Sequence, residues 1–259
     1  MMTEKLIIRP SSLSTWMNCP WKWYKHHIEG VPSIPNVKMI AGTATHKGAE
    51  VGYTEKIESG KLPPKSVMTD AAVEEFHRKL KEEVDVQEDE NPDDYEKIVV
   101  ENISLYEPLM ERTEPDQVEA HFRLPIASDY VEALEGTADI VEKASIVDIK
   151  TTLRKATPRN YVLQLSAYAL LAESTLGEKF DTAGIHNIVN GKAVYDLPLE
   201  LAKERTHYLL ETLVKSVDTV LSGKAAPEVV FTGNPTGFLC DRKYCKLYDD
   251  CPFVKGEVK

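Results

Sequence analysis

The chain has 259 residues, 42% of them hydrophobic and 28% charged, which suits one large globular domain or a domain with an appendage. No run approaches the ~20 apolar residues of a membrane span, and residues 1–10 hold no apolar core of signal-peptide length, so the chain is expected to be cytoplasmic and free of membrane. The net charge of −11 withholds a basic composition as support for nucleic-acid binding, but residues 82–101 alone carry ten acidic side chains against one lysine. That run reads as a solvated loop or helix face, and with the remainder near balance an anionic substrate stays open.

Residues 11–27 open on Ser-Ser-Leu-Ser-Thr, a helix-cap composition, and continue through Trp16, Trp21, Trp23 and Tyr24; Pro20 either begins a helix there or breaks one. Residues 30–36, with two prolines, predict a loop. Residues 41–57 have helical character and carry His46 near their start. Helices are predicted over 70–84 and 92–112, joined by the acidic stretch. A strand at 118–124 opens a β-rich middle. The runs 137–141 and 146–151 are apolar and β-prone and flank a short polar connection, which predicts a hairpin. A helix starts at Thr157-Pro158 and runs through residues 161–175 to Gly177. Strands at 183–189 and 192–197 are joined by Asn190-Gly191, the strongest short hairpin signal in the chain. A long helix is predicted over 199–221, and 224–259 is loop-rich and holds three of the four cysteines.

The first hairpin carries the most chemistry. If its turn is Lys143-Ala144, Asp139 stands opposite Asp148, and alternation puts Asp148 and Lys150 on one face with Asp139 across the ladder. Two carboxylates opposed at roughly 5 Å repel, and the arrangement gains stability only from a cation between them. A hard divalent ion such as Mg²⁺ or Mn²⁺ prefers oxygen ligands and keeps several waters. With an adjacent lysine to stabilise growing negative charge, such an ion suits phosphodiester hydrolysis. The competing reading is a surface strand pair with an Asp–Lys contact, since Asp-x-Lys is a common pattern.

Gln164 and Tyr168, four apart, share one helix face and offer an amide and a phenol to a phosphate oxygen or to the catalytic strand. The alternative is a partly buried polar pair at a helix–sheet junction. His46, in Gly42-Thr-Ala-Thr-His46-Lys-Gly48, is a candidate metal ligand, although a lone helical histidine is more often structural. His26, His27, His77, His121, His186 and His207 have no company that raises them. The cysteines form a set, Cys19 and then Cys240-x4-Cys245-x5-Cys251, which suits a 4Fe-4S cluster or zinc if the ends of the chain meet. Paired zinc knuckles are lacking, and two disulfides are the other alternative.

The order His46, Gly136-x-x-Asp139, Asp148-x-Lys150 and Gln164-x-x-x-Tyr168, bracketed by one N-terminal and three C-terminal cysteines, resembles the PD-(D/E)XK nucleases of the RecB type. It is most similar to their iron–sulfur branch, which includes AddB-like nuclease domains and CRISPR-associated RecB-like exonucleases. The opening Ser12-Leu-Ser-Thr-Trp16-x-x-Cys19-Pro20 is also similar to that branch. The resemblance runs from Ser11 to Pro252.

The resemblance implies an α/β fold of the restriction-endonuclease-like kind, a mixed central sheet flanked by helices, with an iron–sulfur cluster joining the N- and C-terminal segments. It implies one nuclease domain over 1–259: a mainly helical part at 11–115, the nuclease core at 116–222, and an iron–sulfur segment at 223–259 plus Cys19. His46, Asp139 and Asp148, with the Ile149 carbonyl, would bind catalytic Mg²⁺ or Mn²⁺. Lys150 would activate water, and Gln164 and Tyr168 would support the site and contact DNA. Cys19, Cys240, Cys245 and Cys251 would hold a 4Fe-4S cluster. The implied activity is a metal-dependent deoxyribonuclease, an exonuclease acting on single-stranded DNA ends, with recombination, replication or CRISPR-adaptation proteins as partners. A compact chain without helicase motifs leans toward a phage or CRISPR-linked enzyme. The alternative is a DNA-binding or adaptor subunit of a recombination or CRISPR-adaptation complex. Asp148 departs from the family pattern, standing where many members carry the longer glutamate.

Overall fold

The computed structural model describes residues 4–86 and 90–256. Residues 87–89, inside the acidic run, and the two ends of the 1–259 span lie outside the described residues. The chain forms two compact units, Met1–Ser33 with Arg123–Gly136 and Ala202–Lys259, and Ile34–Phe122 with Thr137–Leu201.

In the first unit, a short strand β1 (Leu6–Ile8) pairs in parallel with the opening of strand β3 (Val131–Glu142), as Leu6 with Val131 and Ile8 with Leu134. The N-terminal helical stretch is two helices, α1 (Ser12–Asn18) and α2 (Pro20–His27), divided by the extended backbone of Cys19. Pro20 falls in the first turn of α2, where a missing N–H costs nothing. Trp23 is fully buried, stacks on Phe231 at 5.8 Å and donates its indole N–H to Ser12 Oγ. The N-cap of α1 is Ser11, which makes no side-chain capping bond, while Ser12 serves the core. β3 begins at Val131, six residues before the sequence pattern suggests. Glu132 and Glu135 interrupt the apolar pattern there, and both pair with Arg123.

The second unit holds helices α3 (Val37–Ser59), α4 (Lys65–Leu80) and α5 (Pro92–Arg112), and most of strand β2 (Gln117–Pro125). The latter half of β3 follows, then β4 (Ser145–Thr152), a 3-10 turn (Pro158–Tyr161), α6 (Val162–Leu176), β5 (Thr182–Val189) and β6 (Ala193–Glu200). β3 and β4 are antiparallel, β4 and β5 parallel, and β5 and β6 antiparallel, giving a mixed sheet flanked by helices. Ile140, Val147, Ile149 and Ile188 of the sheet pack with α3, α4 and α5 in one apolar core. α6 packs on β4 and β5.

Three helices converge closely because α3 carries glycine where they cross. A Cβ at Gly48 would lie 2.7 Å from the Met68 carbonyl oxygen, and one at Gly52 would lie 2.5 Å from Met68 Sδ and from Met110 Cε. α3 starts at Val37, earlier than expected, because the Asn36 side chain accepts from the Met39 amide at 3.0 Å. α6 ends at Gly177 in the left-handed region (φ 72°), as its position predicts.

The helix predicted from residue 199 starts only at Lys203, as α7 (Lys203–Leu221) of the first unit. Leu199 and Glu200 still pair with Ala183 and Thr182, so β6 continues through Pro198. A proline is tolerated there because β6 ends the run of paired strands. No helix among the described residues is long and apolar enough to cross a membrane.

Candidate active site

Lys143-Ala144 is the two-residue turn of the hairpin, bracketed by the pairs Glu142–Ser145, Val141–Ile146 and Ile140–Val147. Lys143 takes the positive φ (46°) that such a turn needs without glycine or asparagine. The next pair in this register would be Asp139 with Asp148, and there a side chain replaces the ladder: Asp139 Oδ2 accepts the Ile149 amide at 2.6 Å.

Asp148, 3% exposed, is gripped from two sides. Its Oδ1 accepts from Lys150 Nζ at 2.9 Å and from Gln164 Nε2, on α6, at 3.0 Å. Its Oδ2 lies 2.7 Å from Lys150 Nζ, yet it is buried and makes no hydrogen bond of acceptable angle. Tyr168, one turn along α6 from Gln164, is also buried. His46 approaches from α3, with Nδ1 3.6 Å from Asp139 Oδ2. Gly42, one turn earlier, permits that approach, because a Cβ there would meet Thr151 Oγ1 at 2.7 Å. His46, Asp139, Lys150 and Thr151 line one cavity of about 720 Å³ together with Glu50 and Glu119.

Burial dominates the electrostatics of this site. It pushes Asp148 up to about 6, against the pull of Lys150 and with help from Asp139. It raises Asp139 as well, opposed by Lys150 and by the Ile149 amide. His46 is drawn down to about 4 by burial and by the Lys150 charge, against a hydrogen bond to the Ile149 backbone, so its imidazole is neutral, the form that can ligate a metal. Burial pulls Lys150 down, but the two carboxylates more than offset it and the net shift is upward, which keeps the ammonium charged.

The structure thus brings together His46, Asp139, Asp148, Ile149, Lys150 and Gln164. The predicted set did not include Glu119, which holds a positive φ (48°) uncommon for a side chain of its size. Its carboxyl is pushed up to about 7 by burial and by the charges of Asp139 and Glu50. Glu50 had a usable signal, lying four residues after His46 on the same helix face. Glu119 had none beyond its place in a strand. His186, passed over in the sequence, is structural: it is 3% exposed and bonded through Nδ1 to Tyr106 Oη at 2.6 Å.

All four cysteines belong to the first unit, and all four are free thiols. They line one cavity of about 380 Å³ with Trp21, Phe238 and other residues. Burial raises the Cys240 thiol, and the other three cysteines each add to that rise. Among the described residues no three His, Cys, Asp or Glu side chains are grouped so as to hold a single metal ion. At the carboxylates, Lys150 and the Ile149 amide hydrogen-bond to one oxygen each of Asp148 and Asp139.

A model of the PD-(D/E)XK nuclease superfamily matches residues 8–252. No curated protein gives a significant match. Among solved structures, the chain is similar to a "Putative exonuclease" from Eubacterium rectale, with a TM-score of 0.55 and 11% identity, covering 85% of this chain and 82% of that one. It also aligns with the structure named SSO0001 at a TM-score of 0.44 and 14% identity, covering 100% of this chain and 90% of that one. At such identities the likeness to the first concerns the fold.

Proposed function

The chain belongs to the PD-(D/E)XK nuclease superfamily, and from that premise we propose that it is a metal-dependent deoxyribonuclease whose site is His46, Asp139, Asp148, Lys150 and Gln164. The observation that carries this reading is the grip of Lys150 and Gln164 on the buried Asp148 carboxylate, beside Asp139 and His46 at one cavity.

The residues present suit a hard divalent ion. Asp148 Oδ2 is a buried oxygen without a hydrogen bond, and the donor set is two carboxylates, one neutral imidazole and the Ile149 carbonyl. His46, Asp139, Asp148 and the Ile149 carbonyl are the residues that would hold it. When bound, Mg²⁺ or Mn²⁺ would supply an acidified water and neutralise charge on the scissile phosphate. Lys150, held as an ammonium, donates to a phosphate oxygen or to the attacking water and stabilises the negative charge that grows in the transition state. Gln164 fixes the Asp148 carboxylate through its amide, and Tyr168 supports the same helix face. By family resemblance the preferred action is on single-stranded DNA ends.

By family resemblance the four thiols, which line one cavity, would hold a 4Fe-4S cluster, with zinc as the other candidate. The adaptor alternative has no observation of its own, since an interaction scaffold gains nothing from buried opposed carboxylates.

The test is cleavage of end-labelled linear single-stranded DNA with Mn²⁺, by wild type and by Lys150→Ala. Cleavage by wild type alone supports the site, and the product ladder gives polarity. No cleavage of single- or double-stranded DNA by cluster-loaded protein would favour the adaptor. Equal cleavage by both would remove Lys150 from the chemistry.

A further inference from the structure

The segment that leaves the catalytic strand contains no acidic residue between Asp148 and Glu173, but it contains Arg154, Lys155 and Arg159. It is fixed across three neighbouring strands. At β4 it starts from Thr152, whose hydroxyl donates to the Arg154 carbonyl at 2.7 Å. At β5 the fully buried Asn187 accepts the Ala156 amide at 2.7 Å and donates to the Lys150 carbonyl and to Thr152 Oγ1. At β6 Lys155 Nζ sits 4.5 Å from the centre of the Tyr195 ring. The loop then returns to the site, where the Tyr161 ring lies 5.8 Å from Lys150 Nζ. Both of its ends therefore abut the lysine assigned to the chemistry.

Arg154 and Arg159 are exposed, and neither has an ion-pair partner among the described residues. Elsewhere in this acidic chain many cations are neutralised in place, including Lys25, Lys38, Lys47, Lys65, Arg78 and Arg123. A loop anchored to three strands, abutting Lys150 at both ends and carrying two guanidinium groups without an ion-pair partner among the described residues, has the chemistry of a phosphate clamp for the proposed nuclease, because a guanidinium matches phosphate oxygens bidentately. Leu153, 60% exposed beside Arg154, adds an apolar surface of the kind a sugar or base face covers.

We propose that Arg154 and Arg159, on the Asn187-anchored loop, bind backbone phosphates of the strand being cut and hold it in register with Lys150. The proposal rests on the nuclease reading for its substrate. A loop already fixed by the fold gives up little entropy on binding, so the two contacts contribute to affinity rather than to the chemical step.

The test is steady-state cleavage of a labelled single-stranded oligonucleotide with Mn²⁺ over a range of KCl concentrations, comparing wild type with Arg154→Ser/Arg159→Ser. KM should rise roughly tenfold or more for the loss of two charge-assisted contacts, with kcat changed less than about threefold. The slope of log KM against log salt should fall by about 1.4, since each phosphate contact on a single strand contributes ~0.7. Lys61→Ser/Lys81→Ser removes the same charge elsewhere and should leave the slope as in wild type. An unchanged slope in the arginine variant, or an equal fall in the lysine control, would overturn the clamp. Both arginines are exposed and unpaired, so folding should persist, and an unaltered melting temperature checks it.

Binding of a fluorescein-labelled oligonucleotide in EDTA separates this inference from the nuclease reading. Arginine-dependent binding without any cleavage by wild type would uphold the clamp and sink the nuclease. Cleavage whose KM and salt slope ignore the arginines would do the reverse.

Discussion

Asp139, one residue past the last paired rung of the β3–β4 ladder, accepts the backbone amide of Ile149 through Oδ2 at 2.6 Å. The carboxylate stands in for a strand carbonyl, so the two strands separate where the site begins and no buried N–H is left open. One side chain therefore serves both the fold and the chemistry. Asp139→Asn retains an acceptor for that amide and should keep the melting temperature within about 2 °C, a shift that corresponds to less than ~1 kcal/mol in a chain of this size. It should lower cleavage by at least about 10²–10³-fold, the usual loss when a group acting on transition-state charge is removed. Thermal melts and cleavage of labelled single-stranded DNA, run on the same preparation, check both halves.

Gln164 donates to the same Asp148 oxygen as Lys150. Gln164→Leu removes a hydrogen bond to a buried carboxylate and leaves it short of a partner, at a cost of about 1–3 kcal/mol. Urea denaturation should report that loss. Cleavage should fall about tenfold rather than vanish, because Lys150 still holds Asp148. A variant as active and as stable as wild type would show that the amide is incidental.

Gly48 faces the Met68 carbonyl oxygen, a backbone atom that cannot swing away. Gly48→Ala should destabilise the second unit by about 1–3 kcal/mol through overpacking, despite alanine's better helix propensity. A fall in melting temperature of roughly 2–12 °C is expected. Gly60→Ala, at a left-handed position with open space around it, loses stability through backbone strain alone and gives the comparison.

His186 is buried against Tyr106, and burial draws its imidazole from 6.5 down to about 4. In the unfolded chain it takes up a proton near pH 6.5, while the folded protein resists doing so until about pH 4. The unfolded state therefore binds more protons in that window, and stability falls as pH drops from 6.5 toward 4. The full effect is about 3 kcal/mol. Chemical denaturation at a series of pH values should show wild type losing stability relative to His186→Gln across this window. Parallel curves would remove His186 as the source.

Cys245→Ala should abolish visible iron–sulfur absorbance in anaerobically purified protein and lower the melting temperature by roughly 4–8 °C, the scale of a 2 kcal/mol loss. Colourless wild type carrying zinc would overturn the cluster assignment.

The hairpin with Asp139, Asp148 and Lys150 was legible in the sequence because its determinants are local. A two-residue turn and a period of two set its register, and the spacing of four between Gln164 and Tyr168 set a shared helix face. The ends of elements were less legible wherever a distant partner decided them. β6 runs through Pro198 to Glu200 because β5 pairs with it, and β3 extends back to Val131 because β1 pairs with it there.

What the sequence by itself determined is the order of chemical groups along the chain and the local geometry of each. Only the tertiary structure decided which of them meet. Gln164 reaches Asp148 because α6 lies on β4, and His46 reaches Asp139 because Gly42 lets α3 close on Thr151. Glu119 joins the cavity from a positive-φ position within β2 that no residue pattern announces. The anchoring of the Arg154–Arg159 loop depends on Asn187, thirty-one residues beyond the Ala156 amide it accepts. Contacts of that span are set by packing and loop closure, which pair segments by shape and burial rather than by any local periodicity.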